Sequence, residues 1–244
     1  MVNRIFLFSA LFVMTLCISC VHKSGHRKKV SYSSAISRNS SASSDEDAKI
    51  DTEPTKFGQV LSGRDIFKKY DTAVVMVFTS NGLEEFQGSG FFLNSKGLAV
   101  SNYHVFKGTE IGEEKIKLAD SDQIYHVERV YAKSDDKDFI LFKVDCDHTN
   151  YIPIAQGQPE VGDQVFAIGS PRGLENTFSS GEVSQWRDKD LMQINALIDH
   201  GSSGGALIND RGEVVGITSG TFYDGSQANL NYAWSIDVIK PYLK

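Results

Sequence analysis

Short apolar runs rich in β-branched residues recur from residue 57 to the end of the chain, and Gly, Asn and Asp turns separate them. Runs of this length between turn residues predict strands, and regular short strands are typical of all-β barrels. The expected strands lie at 73–79, 86–93, 98–102, 115–118, 124–131, 139–144, 164–168, 182–186, 191–195, 206–208, 213–219 and 230–235. Short helices are expected at 62–70, where Ser62 suits the N-cap, and at 235–243.

The N-terminal region differs from the rest of the chain in composition. Arg4 precedes an apolar run at 5–18 and small residues follow it, which is typical of a secretory signal peptide at 1–19. The run is too short for a comfortable membrane span. Its end, Cys-Ile-Ser-Cys at 17–20, resembles a bacterial lipobox, which implies that Cys20 carries a lipid.

The lipobox match is incomplete, because Leu16 lies one place too early and Cys17 takes the usual leucine position. Ordinary cleavage with secretion and an uncleaved anchor are the alternatives. Residues 20–56 follow, with a serine-rich stretch at 31–44 and no apolar period. Such a segment cannot bury a core, so we expect a disordered linker that tethers a folded domain at 57–244.

Charge and cysteine content exclude several classes of protein. The net charge of -6 disfavours a nucleic-acid partner, which would reward Lys and Arg patches. No cluster of His, Cys and Asp has metal-ligand spacing, so neither a metal nor another cofactor is expected. If Cys20 is lipidated and Cys17 removed, only Cys146 remains, and the domain then has no disulfide even in a compartment that permits one.

Residues 201–205, Gly-Ser-Ser-Gly-Gly, place a serine among glycines. Glycines let the backbone approach a ligand closely and turn N–H groups toward one point, as a serine nucleophile with an oxyanion hole requires. The pattern is weak by itself, since Gly/Ser runs usually form turns. Ser202 is a rival to Ser203, but only Ser203 stands in the register Gly-x-Ser-Gly-Gly.

The order of the other polar residues narrows the catalytic class. None of the 6 histidines follows Ser203, which excludes the Ser, acid, His order of α/β-hydrolases and leaves the subtilisin and chymotrypsin orders open. His104 lies just past a predicted strand. Asp138 directly precedes a buried apolar strand, where a carboxylate needs a partner such as an imidazole N–H. Asp135 and Asp136 are rivals in the same polar loop.

Five motifs occur in an order that resembles a known family. They are Gly-Ser-Gly-Phe-Phe at 88–92 with Ser-Asn-Tyr-His-Val at 101–105, Asp-Phe-Ile-Leu-Phe-Lys-Val at 138–144, Gly-Ser-Pro-Arg-Gly at 169–173, Ser-Gly-Glu-Val-Ser at 180–184, and Gly-Ser-Ser-Gly-Gly-Ala-Leu-Ile-Asn at 201–209. Together they resemble a trypsin-like serine peptidase, most nearly the protease domain of the bacterial HtrA/Deg type.

The resemblance implies a chymotrypsin-like fold of two antiparallel β-barrels, at about 57–148 and 149–244, with the active site between them. It also implies that His104, Asp138 and Ser203 form a catalytic triad, and that the N–H groups of Gly201 and Ser203 form the oxyanion hole.

Two positions depart from the family pattern. Ser202 and Ala206 stand where the family usually has Asn and Pro. Digestive trypsins carry an Asp at the first position, and it pairs with a newly freed N-terminus on activation. Ser202 cannot make that ion pair, so zymogen activation of that kind is not expected. The sequence ends at Lys244, and we therefore expect no PDZ domain after the peptidase domain.

By resemblance, the primary specificity pocket is expected to include Leu197, Ile198, Thr218 and Ser219. Trypsin has an acid where this chain has Leu197, so a pocket for Lys or Arg is not expected. We expect a small or medium apolar side chain before the cleaved bond. An acidic side chain, favoured by His200 and Thr218, is the alternative.

These observations predict an exported serine endopeptidase of the bacterial cell envelope, lipid-anchored to a membrane, that acts on envelope polypeptides. The alternative from another class is a catalytically inactive peptidase fold that serves as a binding module at the membrane surface. A processing enzyme with a single substrate is a narrower form of the first hypothesis.

Overall fold

The computed structural model describes residues 47–51, 60–119, 121–147, 149–170, 173, 176–221 and 230–244. The predicted signal peptide, Cys20 and most of the predicted linker lie outside these residues. Within them the chain is mostly β-strand, which confirms the all-β expectation, and the strands form two antiparallel sheets.

The first sheet contains the strands of the N-terminal half in the order β5-β4-β1-β2-β3-β7-β6, and every neighbouring pair is antiparallel. Its strands are β1 (Val74–Ser80), β2 (Glu85–Phe92), β3 (Leu98–Ser101), β4 (Lys115–Leu118), β5 (Ile124–Tyr125), β6 (Val127–Ser134) and β7 (Phe139–Val144). This sheet is open between β5 and β6, so the first of the two expected barrels is a half-barrel.

The second sheet closes into a barrel in the order β10-β13-β12-β11-β8-β9. Its strands are β8 (Gln164–Gly169), β9 (Thr177–Trp186), β10 (Leu191–Ile194), β11 (Ala206–Asn209), β12 (Val214–Thr221) and β13 (Asn231–Ser235). A half-barrel followed by a closed barrel is the chymotrypsin-like arrangement that the motifs implied.

Side-chain alternation along the strands builds a core shared by the two sheets. In β2, Phe91 packs into the shared core whereas Phe92 packs inside the first sheet. In β8, Phe166 belongs to the shared core and Ala167 lies inside the barrel. Successive side chains of a strand point to opposite faces, so such strands are buried on both sides and read as continuous apolar runs.

Two expected strands have different limits. The strand expected at 124–131 is divided at His126, whose N–H donates to Asp145 Oδ1 at 2.9 Å, into β5 and β6. The strand expected at 182–186 begins earlier, at Thr177, because β9 pairs with β8 along its first half before it pairs with β10.

The expected first helix is confirmed as α1 (Gly63–Tyr70), and Ser62 Oγ accepts a hydrogen bond from Asp65 N at 3.2 Å as its N-cap. The continuous helix expected at 235–243 was wrong. Two short 3-10 turns occupy that stretch, at Ile236–Val238 and Lys240–Tyr242. Pro241 lies in the second turn, and its missing N–H and bulky ring prevent a longer helix.

Residues 47–51, inside the stretch expected to be linker, contact the folded domain. Asn94 Nδ2 donates to the carbonyls of Asp47 and Lys49, each at 2.8 Å, and Asp51 Oδ2 accepts from Ser95 N at 2.9 Å. This short part of the predicted linker is therefore held by the domain. Among the described residues, no helix combines the length and apolar character needed to cross a membrane.

Candidate active site

His104 lies on α2 (Tyr103–Phe106), a single helical turn that follows β3. The turn is fastened at both ends. Asn102 Nδ2 donates to Asp138 O at 2.8 Å, and Thr79 Oγ1, on β1, donates to Val105 O at 2.6 Å. The residues before and after His104 are thus hydrogen-bonded to neighbouring elements, while the His104 side chain remains about half exposed.

Asp138 joins the loop after β6 to the start of β7 and faces His104. Its Oδ2 lies 2.8 Å from His104 Nδ1, and its Oδ1 accepts from His104 N at 2.9 Å. The carboxylate is an acceptor, so the Nδ1 atom must carry the proton in this pair. The other ring nitrogen, Nε2, is thereby left as the acceptor that can exchange protons with a substrate.

The rival acids lie elsewhere. Asp135 is exposed and forms an ion pair with Lys107, with a nitrogen-to-oxygen distance of 3.2 Å, and Asp136 is also exposed. Lys137 instead anchors the loop to the closed barrel, because its Nζ lies 2.9 Å from Asp190 Oδ2 and 5.2 Å from the ring centre of Trp234. The hydrogen bond to Asp190 is the main cause of a raised pKa at Lys137.

Ser203 lines the same cleft as His104. The cleft has a volume of about 330 Å³, and its walls are Glu85, Phe86, Gln87, His104, Val105, His200, Gly201 and Ser203. A Cβ atom placed on Gly220 would lie 3.3 Å from Ser203 Oγ, so the hydroxyl is turned toward that glycine. Among the described residues, Ser203 Oγ makes no hydrogen bond to His104 or to any other group.

The backbone around Ser203 is shaped by glycine. Gly201 has a φ of 93°, which favours glycine, and a turn is closed there by Ser202 N donating to Asp199 O at 2.9 Å. Neither Gly201 N–H nor Ser203 N–H donates to a protein acceptor among the residues that the structure describes.

Ser202 and Ser203 lie on opposite sides of this loop. Ser202 lines a separate cavity of about 70 Å³, which shares no wall with the cleft of His104. Leu197, Ile198 and Thr218, all predicted to shape specificity, line that cavity as well.

Ser219, the remaining residue of the predicted specificity pocket, is placed differently. Its hydroxyl donates to Asp138 Oδ2 at 2.8 Å and does not line the cavity. It belongs with the acid and the imidazole, and sequence reasoning missed this. No signal in the run Thr-Ser-Gly tells which side chain of the strand faces Asp138, since that depends on the docking of β12.

Metal binding has no support in the residues that the structure describes, where no His, Cys, Asp and Glu side chains are grouped to hold an ion. The geometry described above is that of a hydroxyl, an imidazole and a carboxylate beside unpaired amides, which suits nucleophilic acyl transfer.

Comparison with known proteins agrees with this geometry. The family model of the trypsin-like peptidase domain matches residues 88–217. The chain is 34% identical over 177 residues to Protease Do-like 1, chloroplastic, of Arabidopsis thaliana, which covers 66% of this chain and 39% of that protein. It is also 34% identical over 160 residues to a probable periplasmic serine endoprotease DegP-like of Halomonas elongata, covering 62% of this chain and 33% of that one.

A solved structure is similar as well. The serine endoprotease from Yersinia pestis superposes with a TM-score of 0.66 and 27% sequence identity, covering 74% of this chain and 64% of that chain. The chain thus spans less than two thirds of the length of these relatives. The segment matched by the family model contains His104, Asp138, Gly201 and Ser203, and on this evidence the chain belongs to the trypsin-like peptidase family.

Proposed function

We propose that this chain is an exported serine endopeptidase in which Ser203, His104 and Asp138 form the catalytic triad. The observation that carries the proposal is the 2.8 Å contact between His104 Nδ1 and Asp138 Oδ2, beside a cleft that His104 lines together with Gly201 and Ser203.

The proposed reaction follows from these contacts. Ser203 Oγ rotates toward His104 Nε2, loses its proton to that nitrogen and attacks the scissile carbonyl. His104 then transfers the proton to the leaving amine, and Asp138 holds the imidazole tautomer throughout. A water molecule repeats the sequence on the acyl-enzyme and releases the acid.

The oxyanion of each tetrahedral intermediate is stabilised by the N–H groups of Gly201 and Ser203. Each donor contributes roughly 3–4 kcal/mol to the transition state, judged from deletion of comparable donors.

Specificity for a small or medium apolar side chain before the cleaved bond is part of the proposal. Leu197 and Ile198 line the nearby cavity. Thr218, invoked for the acidic alternative, is already engaged, because its hydroxyl donates to Ser202 O at 2.7 Å. A peptide-library cleavage profile tests this preference, and cleavage after Asp or Glu would contradict it.

Export and anchoring are proposed from the signal-peptide pattern at 1–19 and the lipobox-like Cys20. Support for export comes from the relatives that are named periplasmic. Mass spectrometry of the mature N-terminus tests both steps. A diacylglyceryl-modified Cys20 is expected, and an unmodified residue after position 20 at the start of the mature chain would contradict lipid anchoring.

The catalytic assignment is tested with a fluorophosphonate probe and casein. The wild-type protein is expected to be labelled and to degrade casein, and Ser203→Ala should abolish both activities. Ser202→Ala is the matched control and should keep labelling, since Ser202 faces the other cavity. Labelling that survives in Ser203→Ala would show that another serine is the nucleophile, and an inert wild-type protein would favour the binding-module alternative.

A further inference from the structure

Ser89, on β2 of the first sheet, is fully buried and contacts the nucleophile loop of the barrel. Its Oγ donates to Gly201 O at 2.7 Å, and its N–H donates to Ser203 O at 2.8 Å. The same Oγ accepts from Ser170 N at 2.8 Å, at the end of β8. A hydroxyl has one proton to donate and lone pairs to accept, so both bonds of Ser89 Oγ are compatible.

These bonds hold the carbonyls on either side of Ser202. The peptide planes that carry the Gly201 and Ser203 N–H groups are directly adjacent to those carbonyls, so their orientation depends on the same backbone dihedrals. Gly201 has a φ of 93° and no Cβ, so it has access to other conformations that would turn its N–H elsewhere. The Ser89 hydroxyl is the side chain that restrains the carbonyl of this glycine.

The strand and the loop approach at backbone distance. A Cβ on Gly204 would lie 2.2 Å from Ser89 O, and a Cβ on Gly88 would lie 3.1 Å from Ser203 O. Glycines at both positions let β2 approach the loop closely. The backbone and the short side chain of Ser89 can therefore bond the loop carbonyls directly.

We propose that Ser89 is a positioning residue that orients the oxyanion-hole N–H groups of Gly201 and Ser203. It acts through the carbonyls of the nucleophile loop and touches neither substrate nor reacting atoms. The inference rests on the proposed peptidase function, which it deepens by assigning a role to a residue outside the triad. It also makes the oxyanion hole dependent on contact between the two sheets, since Ser89 lies on the first sheet and Gly201 in the loop that precedes β11 of the barrel.

The test is Ser89→Ala in the full-length protein, with a peptide substrate selected from the casein fragments. Deletion of a whole oxyanion donor costs about 10²–10³ in kcat, and misorientation costs less, so we expect kcat to fall about 10–100-fold with KM within about twofold of wild type. The rate of reaction with a fluorophosphonate should fall by a similar factor, because its tetrahedral product places an oxygen in the same hole. The pH dependence of kcat/KM should keep its shape, since the contacts of His104 are untouched.

The matched control is Thr149→Val. Thr149 is buried, and its hydroxyl donates to Asn94 O at 2.8 Å, away from the cleft. Thr149→Val loses one buried hydroxyl-to-carbonyl bond, whereas Ser89→Ala loses such a bond and also the bond accepted from Ser170 N. The thermal midpoint of Thr149→Val should therefore fall, though by less than that of Ser89→Ala, while its kcat stays at the wild-type value. Equal losses of kcat in both variants would reduce the role of Ser89 to general stability and overturn the proposal.

A second variant covers the case in which Ser89→Ala does not fold. Ser89→Cys keeps a side chain of similar size with a weaker donor. Its kcat should lie between the values of the wild type and Ser89→Ala. If Ser89→Ala does not fold, the kcat of Ser89→Cys should still be below the wild-type value. Wild-type kcat in Ser89→Cys or Ser89→Ala would overturn the positioning role while leaving the peptidase function intact. Absence of any activity in the wild-type protein would instead refute the proposed function.

Discussion

Asp138 has an unusual backbone for a residue with a side chain. Its φ is 44°, in the left-handed region, and no other non-glycine residue in the described ranges has a positive φ. Asp and Asn tolerate this region better than other side chains because they are short and polar. Asn102 holds the Asp138 carbonyl, and Ser219 together with His104 holds the carboxylate. Strain of this kind persists where the surroundings overdetermine it, commonly at functional sites.

The conservative replacement Asp138→Asn separates the effect of the strained backbone on stability from the effect of the carboxylate charge on catalysis. Asparagine fits the left-handed backbone, so the thermal midpoint should change little. The asparagine side chain has no charge, and its NH₂ group can donate to Nδ1 and so hold the imidazole in the wrong tautomer. We therefore expect kcat to fall about 10⁴-fold. Steady-state kinetics measure kcat and thermal unfolding measures the midpoint, with Asp136→Asn, at an exposed position, as control. Activity close to wild type in Asp138→Asn would remove Asp138 from the triad.

At the scale of elements, the segment at 47–51 lies beside the turn between β2 and β3. Asp51 Oδ2 accepts from both Ser95 N and Ser95 Oγ, and the Ser95 hydroxyl is the main cause of a lowered pKa at Asp51. Ile50 N donates to Lys244 O at 3.4 Å, so the same segment also contacts the C-terminal residue. These contacts hold the segment against the domain, and the two bonds from Ser95 favour the charged form of Asp51.

Asp51→Asn should therefore lower the free energy of unfolding by about 1 kcal/mol at neutral pH, since it weakens hydrogen bonds to a partly exposed charged group. The folded pKa of Asp51 lies below its unfolded value, so this stabilisation is fully present above the unfolded pKa and is lost as the pH falls through the folded one. Urea unfolding at several pH values checks the prediction, with exposed Asp122→Asn as control. A gap between variant and wild type that widens toward acid pH would contradict it.

At the scale of the whole molecule, the proposed catalytic site depends on the docking of the two sheets. His104 and Asp138 follow strands of the first sheet, whereas Ser203 and Ser219 come from the barrel. The bond between Ser219 and Asp138, the Ser89 contacts and the ion pair of Lys137 with Asp190 all cross from one to the other. The shared apolar core brings these polar groups together, because it buries side chains from both sheets against one another.

Cys146 reports on the integrity of the first sheet. It is buried in the core inside that sheet, and burial raises the pKa of its thiol from 9.0 to about 11. Only the thiolate is alkylated, so at pH 8 the shift alone should slow reaction with iodoacetamide about a hundredfold relative to the unfolded chain, and burial should slow it further. A variant with Cys17 and Cys20 replaced by serine isolates this thiol. Equal rates with and without urea would show that the first sheet is open in solution.

The strands could be located from sequence because their cause is local. Apolar residues that alternate or run together between Gly, Asn and Asp turns favour strands wherever the rest of the chain goes, and β1, β3, β4 and β7 match the expected segments closely. The continuous C-terminal helix was wrong for a local reason as well, since Pro241 lacks the N–H that such a helix would need there. The serine, histidine and aspartate needed for acyl transfer, and their order along the chain, could also be read directly from the sequence.

The orientation of each side chain was decided only by the tertiary structure. Ser202 and Ser203 are neighbours, yet only Ser203 shares a cleft with His104, and Ser219 bonds Asp138 while Thr218 bonds the loop carbonyls. Those directions follow from loop dihedrals and from how the barrel docks on the first sheet. The hydrogen bond from Ser89 to Gly201 joins residues separated by 112 positions, so no local pattern of propensity or spacing contains it.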